Sequence, residues 1–210
     1  MGGRENLHNS SMTRAVFLDR DGVINQKAPE GLYVTRWEDF HIFPRAIECV
    51  AQLNRAGLKV IVVTNQRCVA KRLITIDDLE KLHQRMSSLF AKSGATIDAI
   101  YYCPHELNPS CSCRKPAPGM LLDAAREHGI ELTESWMVGD SDIDVEAGKN
   151  AGCKTVLLLE KGEIARERRR RASDANAADI TAHSLPEAIQ LILSEKNTGV
   201  SSSVVGPITS

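Results

Sequence analysis

Two aspartates one residue apart, Asp19 and Asp21, are the first residues in the chain whose types and spacing suggest chemistry. One carboxylate can act as a nucleophile while the other moves protons, provided that a cation or positive side chains relieve their repulsion. The pair directly follows residues 15–18, a short apolar run typical of a buried parallel strand. Ligands bind beyond the carboxyl ends of such strands. Taken alone, the pair more often marks a turn or a helix start, so the rest of the chain must supply its partners.

Two more predicted strands end in polar side chains. Thr64 and Asn65 follow a dense β-branched run, and Asp140 follows an apolar one, with Asp144 one helical turn further on. Because a parallel sheet delivers its strand ends to one edge, these groups can converge with the two aspartates. Carboxylate and carbonyl oxygens are the ligands that Mg²⁺ prefers, so convergence predicts a magnesium site that can also meet a phosphate. The plainer interpretations are a polar turn after Thr64 and a helix N-cap at Asp140.

Three cysteines and one histidine lie within eleven residues, at Cys103, His105, Cys111 and Cys113. They match the ligand set of a closed tetrahedral zinc site, which would be structural, although their spacings are tighter than in common zinc fingers. Loop disulfides or unrelated buried thiols are the alternatives. Lys115 follows this cluster, and its ammonium beside carboxylates and a phosphate would neutralise charge building up on phosphorus. Most single lysines, however, lie on the surface.

Helical and extended patterns alternate along the chain, which predicts parallel βα units in an α/β fold with a three-layer sandwich. The extended runs are 15–18, 59–66, 97–102, 135–140 and 154–159. The helical runs are 45–56, 75–93, 121–128, 142–151 and about 185–195. Asp19, Asp21, Thr64 and Asp140 therefore lie at or just after predicted strand ends, whereas Lys115 lies just after the cysteine cluster.

The 210 residues are enough for one well-packed domain and short for two. We expect a flexible leader over 1–13, a single domain over 14–196 that contains the cysteine-rich loop 103–113, and a disordered tail over 197–210. The irregular segment 22–43 carries several aromatic residues. It fits a substrate-recognition loop and a loop anchored to the core equally well.

The composition limits the kinds of molecule that we expect this chain to bind. Lys and Arg number 26 against 27 Asp and Glu, so no overall field points to nucleic acid or to an anionic membrane. The chain has no apolar run long enough to span a bilayer and no signal-peptide pattern, so we expect a cytoplasmic monomer that binds a small molecule. The run Arg168 to Arg171 fits a solvated helix face better than a site for a phosphate-rich partner.

Four segments, 17–25, 63–66, 103–116 and 138–140, together resemble the haloacid dehalogenase superfamily. The zinc loop is similar to that of the capless branch whose members act on heptose bisphosphates or histidinol phosphate. The resemblance spans about residues 15–159, in order, and it implies a Rossmann-like sheet with no large cap.

The resemblance also implies residue roles. Asp19 would be the nucleophile that forms an aspartyl-phosphate, and Asp21 would protonate the departing oxygen and later deprotonate water. Thr64 and Lys115 would hold the phosphoryl group. Catalytic Mg²⁺ would bind the Asp19 carboxylate, the Asp21 backbone carbonyl and Asp140.

The implied activity is hydrolysis of a sugar phosphomonoester, most closely the 7-phosphate of a heptose 1,7-bisphosphate, because residues 115–120 read as in heptose-specific members. Histidinol phosphate or another small phosphomonoester is the alternative, and a non-catalytic, zinc-stabilised binding module is a remote one. Arg67 followed by cysteine, and Ser141, depart from the usual heptose pattern, which leaves the sugar and its anomer open. The residues expected at the substrate are Arg20, Asn65, Gln66, Arg67, Arg114 and Ser141.

Overall fold

A single six-stranded parallel sheet organises the protein in a computed structural model that describes residues 13–107, 111–159 and 177–198. The strand order is β3-β2-β1-β4-β5-β6. The strands are β1 (Ala15–Leu18), β2 (Lys59–Asn65), β3 (Ala99–Cys103), β4 (Trp136–Gly139), β5 (Lys154–Leu158) and β6 (Ile180–Ala182).

Strand β1 lies in the middle of the sheet, where it pairs with β2 and β4. Its four residues are wholly buried. Val16 and Leu18 belong to the hydrophobic core on one face of the sheet, and Ala15 and Phe17 belong to the core on the other. A strand covered on both faces must be apolar at every position, which explains the uninterrupted run in the sequence.

Within the described parts of the chain, five α-helices cover the two faces of the sheet. They are α1 (Ala46–Arg55), α2 (Ile76–Lys92), α3 (Gly119–His128), α4 (Asp142–Ala151) and α5 (Leu185–Thr198). Helices α1 and α5 pack together, as do α3 and α4. Residues of α1, α2 and α5 share the core that contains Val16, and residues of α3 and α4 share the core that contains Phe17. The predicted three-layer α/β sandwich is therefore confirmed.

Several predicted boundaries were wrong. Strand β3 begins at Ala99 instead of residue 97, because the Asp98 side chain accepts a hydrogen bond from Val60 N at 2.8 Å and the ladder starts after it. Helix α5 continues to Thr198, so the tail predicted from 197 begins inside a helix. Strand β6 has only three residues, too few to show an alternating pattern, and it was not predicted.

The last residue of the predicted leader 1–13 belongs to the fold, since Thr13 N donates to Gly129 O at 3.3 Å. Residues 1–12, the run Arg168 to Arg171 and residues 199–210 lie outside the described residues. Within the described ranges, none of the helices combines the length and apolarity needed to cross a membrane.

Candidate active site

Asp19 and Lys115 form a buried ion pair beyond the end of β1. Lys115 Nζ lies 2.7 Å from Asp19 Oδ1 and 2.6 Å from Asp144 Oδ1, and it donates to Val63 O at 2.9 Å. Lys115 and Asp144 are almost completely buried. One ammonium group therefore contacts two carboxylates that are 125 residues apart in sequence, and it offsets only one of their two negative charges.

Burial and neighbouring charges shift the pKa values of Asp19 and Lys115. Burial raises the pKa of Asp19 to about 7, Lys115 opposes that rise, and Asp144 and Asp21 add to it. Burial acts to lower the pKa of Lys115, but Asp19 and Asp144 outweigh it and leave that pKa above the ordinary value. Lys115 is therefore charged, and Asp19 needs further positive charge to stay fully ionised at neutral pH.

A third carboxylate, Asp140, lies beside them after β4. Oxygen atoms of Asp19, Asp140 and Asp144 all lie within 4.8 Å of one another. Asp140 Oδ2 is 2.6 Å from Lys27 Nζ, whereas Asp140 Oδ1 is buried and makes no hydrogen bond with any described residue. Burial raises the pKa of Asp140, while Lys27 lowers it. An all-oxygen cluster with a buried, unpartnered oxygen fits Mg²⁺.

Two glycines allow the carboxylates to approach the backbone. Gly22 has φ +102°, and a Cβ there would lie 1.8 Å from Asp140 Oδ2. A Cβ at Gly139 would lie 2.1 Å from Asp144 Cβ. Any side chain at these positions would displace a carboxylate of the cluster.

The Asp21 carboxylate is held by three side chains. Arg20 Nη2 donates to its Oδ2 at 2.9 Å, Asn25 Nδ2 to its Oδ1 at 2.8 Å, and Gln66 Nε2 to its Oδ2 at 3.0 Å. Burial acts to raise the pKa of Asp21, but Arg20 together with the bonds from Asn25 and Gln66 outweighs burial and lowers it. Asp21 is therefore ionised, in a fixed orientation.

Thr64 and Gln66 connect Asp21 to the end of β2. The buried Thr64 Oγ1 accepts from Gln66 Nε2 at 2.8 Å, so the same amide nitrogen bonds both Thr64 and Asp21. The Cys68 thiol donates to Gln66 Oε1 at 3.4 Å and orients the amide. The side chains that follow β1 and those at the end of β2 are thus close together, as predicted, and the Gln66 amide links them.

Asn65 joins the backbone of Lys115 to β2. Asn65 Nδ2 donates to Lys115 O at 3.1 Å, and Lys115 N donates to Asn65 Oδ1 at 3.1 Å. The two bonds hold the residue that follows the cysteine-rich loop against the sheet, and they occupy the amide that we expected to bind substrate.

The cysteine-rich loop brings its four candidate ligands together. The ligand atoms of Cys103, His105, Cys111 and Cys113 lie within 4.8 Å of one another. All six cysteines are free thiols, and the Cys103 and Cys111 sulfurs are 3.5 Å apart, far beyond a disulfide bond of about 2.05 Å. The disulfide alternative is therefore wrong for this structure, and the cluster has the composition and proximity of a tetrahedral zinc site.

Three residues expected at the substrate lie around the site and are partly exposed. Arg67 pairs with Glu106, Arg114 Nη1 donates to His105 O at 3.3 Å, and the Ser141 hydroxyl donates to Asp144. Both guanidinium groups therefore lie beside the cysteine-rich loop, where they remain accessible to an anionic ligand.

Four residues of the site, Asn25, Lys27, His83 and Asp144, were not among the predicted site residues. Asp144 was grouped with Asp140, one helical turn before it, but was given no role. His83 interrupts the apolar stripe of α2 formed by Leu79, Leu82 and Met86, which is also a detectable signal. Lys27 lies in an irregular loop, where no pattern indicates which carboxylate it meets.

Comparisons with known proteins identify the family of this chain. A family model described as HAD-hydrolase-like matches residues 112–188. The D-glycero-beta-D-manno-heptose-1,7-bisphosphate 7-phosphatase of Pseudomonas aeruginosa is 39% identical over 148 residues, which cover 70% of this chain and 82% of the relative. The protein of the same name from Helicobacter pylori is 42% identical over 147 residues, 70% of this chain and 83% of the relative.

A solved structure is also similar. The D,D-heptose 1,7-bisphosphate phosphatase of Bordetella bronchiseptica, complexed with magnesium and phosphate, has a TM-score of 0.75 and 30% identity, with 87% of this chain and 99% of that chain covered. The chain belongs to the HAD-like hydrolases and is a phosphoric monoester hydrolase. Within that class it belongs to the heptose-bisphosphate phosphatase branch, as its resemblance in sequence predicted.

Proposed function

We propose that the protein is a Mg²⁺-dependent phosphatase that removes the 7-phosphate of D-glycero-D-manno-heptose 1,7-bisphosphate through an aspartyl-phosphate on Asp19. The contact of Asp19 with the buried ammonium of Lys115, beside the carboxylate cluster, is the observation that carries this proposal. Relatives about 40% identical, which bear this activity in their names, support the substrate.

The chemistry divides between two aspartates. A carboxylate oxygen of Asp19 forms a bond to phosphorus as the bond from phosphorus to the sugar oxygen breaks, and Asp21 gives that oxygen a proton. Water then attacks the aspartyl-phosphate, Asp21 accepts a proton from it, and Asp19 and inorganic phosphate are released. The ionised Asp21 of the free protein suits the second step, and a phosphate dianion bound nearby raises its pKa for the first.

Two buried donors stabilise the negative charge on the transferred phosphoryl group. Lys115 and the Thr64 hydroxyl bind its oxygens, and neither donor has to be desolvated during the reaction because both are already buried. When bound by Asp19, Asp140 and the Asp21 backbone carbonyl, Mg²⁺ would supply positive charge to the phosphoryl oxygens and keep Asp19 ionised.

A second metal would have a structural role. Cys103, His105, Cys111 and Cys113 supply four ligands for Zn²⁺ and leave no open position for substrate. Zinc would fix the loop from which Arg114 and Lys115 extend, so its effect on catalysis is indirect.

The six residues expected at the substrate divide into two groups by their contacts. Arg67, Arg114 and Ser141 remain partly exposed and are the candidates for binding the sugar and its second phosphate. The polar atoms of Arg20, Asn65 and Gln66 already bond Asp21, Lys115 or Thr64. We therefore assign these three residues to positioning the catalytic groups.

The substrate is tested by measuring phosphate release from both anomers of the heptose 1,7-bisphosphate and from histidinol phosphate at a fixed Mg²⁺ concentration. We expect kcat/KM for one heptose anomer to exceed that for histidinol phosphate at least about tenfold, and the opposite order would overturn the substrate assignment. Asp19→Asn tests the chemistry separately. It should lose nearly all hydrolysis and remain folded, whereas unchanged hydrolysis would exclude the aspartyl-phosphate.

A further inference from the structure

The guanidinium of Arg20 is completely buried beside the proposed acid/base Asp21. Its Nε and Nη2 atoms face the Asp21 carboxylate, at 3.3 Å from Oδ1 and 2.9 Å from Oδ2. The planar group also lies over the Phe40 ring, 5.6 Å from its centroid. Because a guanidinium is rigid, the direction in which Arg20 points helps to fix the direction of the carboxylate, together with the bonds from Asn25 and Gln66.

The remaining side of Arg20 contacts His83, a residue of α2. Arg20 Nη1 lies 3.0 Å from His83 Nε2, and both side chains are buried. Burial and the neighbouring Arg20 lower the pKa of His83 to about 3, so the ring is neutral and Nε2 can accept from Arg20. The His83 ring in turn packs against Tyr102 of β3, with the ring centroids 5.6 Å apart.

We propose that His83 is a positioning residue that orients Asp21 for proton transfer by fixing the guanidinium of Arg20. This inference rests on the proposed function, in which Asp21 is the acid and base. His83 acts from a helix that contributes no other contact to the phosphoryl site among the described residues, and it does not touch Asp19, Lys115 or Asp140.

Loss of the His83 acceptor leaves a buried Arg20 N–H without a partner, and the guanidinium gains freedom to turn away from Asp21. The groups that bind phosphate and Mg²⁺ are unaffected. Proton transfer should therefore suffer while KM and the affinity for Mg²⁺ stay the same. Positioned proton transfer is worth about 10²- to 10⁴-fold in rate, so a partial loss is measurable.

The test compares His83→Gln, whose amide oxygen can reach the position of Nε2, with His83→Asn, whose shorter side chain cannot, and with His83→Leu. Each is assayed on the heptose bisphosphate and on p-nitrophenyl phosphate. The nitrophenolate departs without a proton, whereas the sugar oxygen needs one. A mere loss of folded protein would lower both rates equally, so the ratio of the two kcat/KM values reports positioning.

We expect His83→Asn and His83→Leu to lose at least about tenfold in kcat/KM on the sugar phosphate and less than about threefold on p-nitrophenyl phosphate, while His83→Gln retains most activity on both. Tyr102→Phe, which keeps the ring beside His83, is the packing control and should match the wild type. If His83→Leu does not fold, the comparison of Gln with Asn decides the question.

A double-mutant cycle tests whether His83 acts on Asp21 through Arg20. In an Arg20→Lys background, His83→Asn should cause no further loss, because the contact from His83 to the guanidinium is already broken. Independent, multiplicative losses would overturn the inference, as would equal activity of all three His83 variants and the wild type. A wild type that hydrolyses none of the phosphomonoesters would instead contradict the proposed function and this inference with it.

Discussion

Lys27 holds its ammonium group 2.6 Å from Asp140 Oδ2, on the same carboxylate whose Oδ1 is buried without a hydrogen bond to any described residue. The Lys27 side chain is 51% exposed, so it can leave this position at small cost. A lysine and a divalent cation therefore compete for one carboxylate. Lys27 neutralises part of the acidic cluster when the metal is absent.

Replacing Lys27 with Met should strengthen Mg²⁺ binding about two- to fivefold, because partly exposed ion pairs contribute roughly 0.2–1 kcal/mol. Titration calorimetry of the metal-free protein measures the affinity directly. Lys81→Met removes a lysine that pairs with Asp78 in α2 instead, and it is the matched control with no expected change. Weaker Mg²⁺ binding in Lys27→Met would show that Lys27 does not compete with the metal.

Gly22→Ala should abolish Mg²⁺ binding and lower activity at least about a hundredfold, comparable to the loss of a major electrostatic contribution to catalysis. The new Cβ would lie 1.8 Å from Asp140 Oδ2 and must displace that carboxylate. Gly31→Ala is the control, since Gly31 has φ +79° and a Cβ there would meet nothing within 4 Å. It imposes similar backbone strain without the collision, so equal effects in the two variants would assign the loss to strain.

Cys111→Ser should lower the zinc content well below one equivalent and reduce kcat, because the loop that places Lys115 loses one of its four ligands. Elemental analysis of freshly purified protein gives the metal content, and phosphate release gives kcat. Cys153→Ala, a buried thiol outside the cluster, should keep its zinc. Full zinc occupancy in Cys111→Ser would contradict the assigned ligand set.

His83 should make the protein sensitive to acid. The pKa of its buried ring is lowered to about 3, so below about pH 6.5 the unfolded chain binds a proton that the folded protein does not, and stability falls as pH falls. Between pH 6.5 and 4.5 the loss should be roughly 2–3 kcal/mol, at about 1.36 kcal/mol per pH unit. Urea unfolding at both pH values should show a correspondingly smaller loss in His83→Gln, and identical losses would contradict a neutral His83.

The sequence could predict the convergence of the strand ends because it depends on the parallel topology alone. Asp19 and Asp140 meet wherever β1 and β4 are neighbours, and a buried apolar run followed by an aspartate identifies both strand ends. The same reasoning holds for Thr64 on β2. These residues are positioned by backbone register, which hydrophobic patterns encode.

The partners of the arginine and lysine side chains could not be predicted in this way. Arg20 is adjacent to Asp21 in sequence and was expected at the substrate, but its contact with His83 spans 63 residues and depends on how α2 packs. Lys27 meets Asp140 from an irregular loop. A long, flexible side chain can reach several carboxylates, and which one it contacts depends on the tertiary structure.

The strand order places Asp19, Thr64 and Asp140 at the ends of three neighbouring buried strands, while Arg67 and Arg114 lie in the connections that follow β2 and β3. Mutations in those connections leave the neighbouring strands in register. Mutations in these loops can therefore change which sugar phosphate the enzyme accepts while the catalytic residues stay in place. Such a division between a rigid centre and adaptable surroundings makes a scaffold of this kind a ready source of new metabolic activities.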